Sequence, residues 1–137
     1  MARETVDAPS LSYAMASAVA PEGVAVESSA GPTAVGQLPL VIVSTSAPVS
    51  VDNDPRYTSA EFTISVRCYS PNRVEAAQLA DTMFAGFHRL WRSGVVTEYG
   101  WISRITRPSQ QPTPVESDLE ADDVYRFDCV LDVIARH

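Results

Sequence analysis

The sequence predicts an α+β fold: a mixed or antiparallel sheet of about four to five strands, two α-helices packed on one face, and a protruding arm or hairpin. Three observations lead there. SPNRVEAAQLADTMFAGFHRLWRSG, residues 70–94, repeats its apolar residues at helical spacing and is punctuated at both ends. EFTISVRCY and VYRFDCVLDVIAR alternate apolar and polar residues with the period of two of a half-buried strand. LPLVIVS is nearly continuous in apolar and β-branched residues, the pattern of a central strand buried on both sides.

Taken in order, the chain opens with a helix over Ala8 to Val19, where Leu11, Met15 and Val19 share a face, Pro9 sits near the start and Pro21 stops it. GVAVES places a short strand at Val24 to Glu27, and AGPTAVGQ is a turn. Leu38 to Ser44 is the buried strand. Residues 45–59, with Pro48, Asn53, Asp54 and Pro55, form the arm, in which Val49 and Val51 alternate as in a hairpin tip. In the next strand Phe62, Ile64, Val66 and Cys68 face inward, and Thr63, Ser65 and Arg67 face outward. Ser70 or Asn72 caps the long helix, whose stripe runs Leu79, Ala80, Met83, Phe84, Phe87, Leu90 and Trp91, with Gly94 just past its end. A stripe that wide covers a sheet face, so the helix is scaffold. Tyr99 to Arg107 reads as a strand, and residues 107–123 as an acidic, Pro-rich loop. The last strand turns Tyr125, Phe127, Cys129, Leu131 and Val133 inward and Arg126, Asp128 and Asp132 outward.

The 137 residues are expected to form one domain. The net charge of -7 argues against a nucleic-acid binder, which needs clustered Lys and Arg. LSYAMASAVA (11–20) has the length of a signal-peptide core, but Glu4 and Asp7 offset Arg3 and polar residues interrupt it, so a cytosolic, non-secreted chain is expected, without a membrane span. Cys68 and Cys129 fall on apolar strand faces and are expected to be small core residues rather than a disulfide.

The sequence holds no motif for nucleophilic, phosphate-binding or zinc chemistry, and His88 and His137 share no helix face, so neither an enzyme nor a cofactor nor a metal site is expected. Asp52-Asn53-Asp54 opens like a calcium loop but lacks its later glycine and glutamate, which leaves an Asx-type turn. Glu116, Asp118, Glu120, Asp122 and Asp123 form an acidic run. It reads as a solvated loop, a docking surface for a basic partner, or a wall that repels DNA phosphate. The arm and the acidic segment are long for a small domain, and are either ordered by partners or loose in solution.

Together, LPLVIVS, the turn-rich arm, EFTISVRCYSPNRVEAAQLADTMFAGFHRLW and VYRFDCVLDVIAR resemble, in pattern and order, the tail terminator proteins of long-tailed (siphovirus) phages. The strand ending in CY, the SPN turn and the AAQLAD helix carry most of the resemblance, and the acidic segment after Arg107 matches least. The resemblance implies a structural virion protein that forms a homo-hexameric ring on the head-proximal end of the tail. Such a ring stops the major tail tube protein from polymerising and meets the head-completion proteins of the neck. DNA passes through its lumen without specific binding, and the chain is assembled in the host cytoplasm. Val49, Val51, Arg56 and Tyr57 are then the expected subunit or tube contacts, and the acidic run the expected lumen or neck-facing surface. Another head-tail connector ring, or a small cytosolic ligand- or peptide-binding domain, is the competing expectation.

Overall fold

The computed structural model describes residues 5–29, 34–51, 58–106, 110–118 and 123–137. Helix α1 spans Ala8–Val19, β1 Ala25–Glu27, β2 Leu40–Thr45, β3 Val49–Ser50, β4 Ser59–Ser70, α2 Arg73–Ser93, β5 Trp101–Ile105, β6 Gln110–Val115 and β7 Tyr125–Arg136. The fold is α+β, with seven strands in one mixed sheet instead of four or five.

The higher count has a simple origin: the sheet is five strand positions wide, in the order β1-β2-β4-β7-β5, and two of those positions are broken. β3 continues the line of β2 along the same side of β4, which meets β7 along its whole other side from Ser59↔Arg136 to Ser70↔Tyr125. β6 likewise continues the line of β5 along the outer side of β7. β1 lies parallel to β2, and every other pair is antiparallel.

β6 corrects the expectation of a loop over 107–123. Pro112 and Pro114 mark breaks in a central strand, but an edge strand needs no second set of N–H groups and tolerates proline. A register shift between Gln110 and Thr113 absorbs the misfit.

Each helix end follows from local chemistry. The Asp7 carboxylate accepts hydrogen bonds from the Ser10 N–H and hydroxyl (3.3 and 2.9 Å) and caps α1. Asn72 Oδ1 accepts from the Glu75 N–H (3.1 Å) and caps α2. At its far end Gly94 turns left-handed (φ 65°), Gly94 N–H donates to Trp91 O and Val95 N–H to Leu90 O, which closes the helix.

Both helices cover one face of the sheet. Leu11 and Met15 from α1, and Leu79, Met83 and Phe87 from α2, bury against Val41, Val43, Ile64, Val66, Cys68, Cys129, Leu131 and Val133. The helices meet where Gly86 is buried against Val19; a Cβ on Gly86 would stand 2.6 Å from the Val19 Cβ. Both thiols are fully buried and free. Burial pushes the Cys68 thiol well above its ordinary value, and pushes Cys129 up to about 12.

β2 is buried on both sides, as its apolar run predicts: Val41 and Val43 face the helices, while Leu40 and Ile42 join Ala34 and Tyr69 in a second small cluster on the opposite face. Tyr125, expected inward, is 42% exposed, because it is the first residue of β7 and projects beyond the helix-covered core.

Candidate functional site

The arm is a hairpin built on a break in a strand. β2 pairs with β4 as far as Thr45↔Ile64, and β3 resumes at Val49↔Glu61, one residue out of register. At the break Ser46 N–H donates to Thr63 O (3.0 Å), and Ser46 Oγ accepts from Thr63 N–H (2.9 Å) in place of a backbone carbonyl. The Thr63 hydroxyl in turn donates to Asp132 Oδ1 on β7 (2.6 Å). The base of the arm is thus tied to the centre of the sheet. Beyond it, Val51 N–H donates to Ser59 O.

Of the residues expected at an interface, Val49 is 66% exposed and Val51 is half-buried beside it, while Arg56 and Tyr57 lie outside the described residues. The outer strand of the arm, VSTSAPVSV over 43–51, carries no charge in a chain of net charge -7.

The acidic segment does not behave as one surface. Glu116 and Asp123 are exposed, and Glu120 and Asp122 lie outside the described residues. Asp118 instead turns back onto the open face of the sheet. The Tyr69 hydroxyl donates to Asp118 Oδ1 (2.7 Å), and Arg67 and Arg126 stand 3.5 and 3.4 Å from its carboxylate. Arg126 is held by Asp128, with Nε donating to Oδ1 (2.8 Å) and Nη2 to Oδ2 (2.7 Å). Val124 packs beside the same Tyr69 cluster.

The hydrogen bond from Tyr69 holds the Asp118 carboxyl below the usual carboxylate range, reinforced by the two guanidiniums and opposed by partial burial. Burial and that same hydrogen bond push the Tyr69 hydroxyl up to about 12. Hydrogen bonds to Asp128 raise Arg126 further.

This clasp is not evident from the sequence, although its parts stand in view. Arg67 and Tyr69 are outward residues of one alternating strand, and Arg126 and Asp128 of another. The missing piece is register: Arg67 faces Asp128 and Tyr69 faces Arg126 across β4 and β7, which periodicity alone does not supply.

Elsewhere, a shallow groove runs between the turn Pro21–Val24, Pro39 and the first half of α2, with Glu22 and Glu75 on its walls. His88 Nδ1 lies 2.9 Å from Phe84 O on its own helix and stacks near Phe84 and Trp91. Among the described residues no three His, Cys, Asp or Glu side chains are grouped to hold a metal ion. No described helix is long and apolar enough to cross a membrane. Comparison with known protein families returns no match, and comparison with curated proteins returns none.

Proposed function

We propose that the chain is a ring-forming structural subunit of the tail-terminator type, which caps the head-proximal end of a phage tail tube and joins it to the neck. The observation that carries the reading is the uncharged outer strand of the arm, with Val49 two-thirds exposed on it. Copies of a chain with net charge -7 repel one another wherever their carboxylates face, so a neutral, backbone-rich strand is where one copy approaches the next at least cost. An exposed strand edge of this kind supplies backbone donors and acceptors to a neighbour. The ties through Ser46, Thr63 and Asp132 give that strand a rigid base, which ring closure at a fixed angle requires.

The order of strands and helices behind the family resemblance supports the same reading, and so does the negative charge. A lumen lined by carboxylates lets DNA pass without holding its phosphates.

Electron microscopy of the purified protein, alone and mixed with the matching tail tube protein, tests the proposal. Rings, or tubes with one added layer at one end only, are expected. Rings that ignore the tube would transfer the protein to the head-closure side of the neck, and a monomer indifferent to tubes would overturn the ring reading altogether.

A further inference from the structure

Strand β6 is thinly held. Two of its six residues are prolines with no N–H to donate, its register on β7 breaks between Gln110 and Thr113, and only Pro112 is half-buried. A strand with that little burial and hydrogen bonding stands at the low end of local stability. Just beyond its end, Asp118 makes the most directional contact of the region. It accepts the Tyr69 hydroxyl and lies between Arg67 of β4 and Arg126 of β7, with Asp128 behind Arg126. Among the described residues these are the charged and titratable groups that face it.

We infer that Asp118 is a latch. The segment from Gln110 to Asp118 opens and closes as one unit, parting from β7 and α2 while the rest of the core stays closed, and the contact of Asp118 with Tyr69 and the two arginines sets how often it opens. The geometry favours this division. The Tyr69 ring is anchored in its own cluster with Leu40 and Ile42 on the open face, so its hydroxyl is a fixed post. The Asp118 side chain is 47% exposed, on a segment that otherwise rests on its edge pairing with β7 and on its contact with α2. Opening frees the outer backbone edge of β7 from Arg126 to Val130, which β6 otherwise covers. It also releases Arg67 from its carboxylate while Arg126 stays bound to Asp128.

Hydrogen exchange on the full chain, read by mass spectrometry, tests the latch and requires neither ring nor tube, so it stands apart from the assembly reading. Asp118→Ala and Tyr69→Phe are each expected to speed exchange of those amides between Gln110 and Ser117 that are protected in the wild type by about tenfold or more, with β2 and β4 unchanged. Asp118→Asn, which keeps an acceptor but loses the charge, is expected to fall between wild type and Asp118→Ala. Exchange in Gln110–Ser117 that stays at the wild-type rate in both Asp118→Ala and Tyr69→Phe would overturn the inference. So would an equal rise across β2, β4 and β7, which would make the contact a support of the whole fold.

Discussion

The two faces of this sheet are held by different physics. On the helix-covered face, Phe87, Met83, Leu79 and Leu11 bury against Val66, Cys129 and Leu131, and many small apolar contacts share the load. On the open face, a small cluster around Tyr69 gives way to a few directional contacts: Tyr69 to Asp118, Arg126 to Asp128, Thr63 to Asp132. Damage to the first spreads through the whole fold, while damage to the second stays near the residue that was changed.

The strongest test of that contrast is Phe87→Ala, which empties the centre of the covered face. It is expected to cost about 3–5 kcal/mol in denaturant unfolding, enough to leave the protein close to its stability limit. Gly86→Ala comes next. The new methyl meets the Val19 side chain, α1 must shift on α2, and a loss of about 1–3 kcal/mol is expected. Pairing it with Val19→Gly, which removes the Cβ that the new methyl meets, should recover part of that loss, and simple additivity of the two would show that the helices do not meet there.

pH sharpens the comparison on both faces. The folded pKa of Asp118 lies below its ordinary 3.8, so its contribution is complete above that value and is lost as pH falls through the depressed one. Tyr69 is raised from 10.0 to about 12, so its contribution is complete below pH 10 and disappears as pH climbs toward 12. Cys129, raised from 9.0 to about 12, adds an alkaline loss from the covered face. Stability is therefore expected to be level near neutrality and to fall at both extremes. Tyr69→Phe should remove only part of the alkaline fall, and a fall abolished by that change would place all of it on the open face.

The smallest expected effect on folding belongs to the arm. Val49→Arg should change stability by no more than about 0.5 kcal/mol, because the side chain is exposed. In electron micrographs the same change should prevent the rings expected of wild type, and normal rings would remove Val49 from the interface.

The covered face was legible in the sequence because hydrophobic periodicity encodes it. The stripe of α2, the alternation of β4 and β7, and Gly94 all fall where composition and spacing place them, and of the two caps the sequence allows, Ser70 and Asn72, Asn72 is the one used. Two things were not legible. β6 looks like loop because its prolines are read without knowing that it lies at an edge, a property of the sheet and not of the segment. The clasp looks like unrelated charges because Arg67, Tyr69, Asp118 and Arg126 are joined only through strand register and a returning segment. The arm stands between these cases: Val49, expected at a hairpin tip, lies in a paired strand, and the Ser46–Thr63 tie at its base depends on a one-residue slip that only the paired strands reveal.

The two free cysteines turn the covered face into a clock. Cys68 and Cys129 lie under the helices with their thiolates suppressed, so a thiol reagent added near neutrality can reach them only while helix and sheet are parted. The rate of labelling then counts those partings, and it stays silent to any motion of the opposite face. With no tag and no substitution, the native chain reports how long its own interior stays shut.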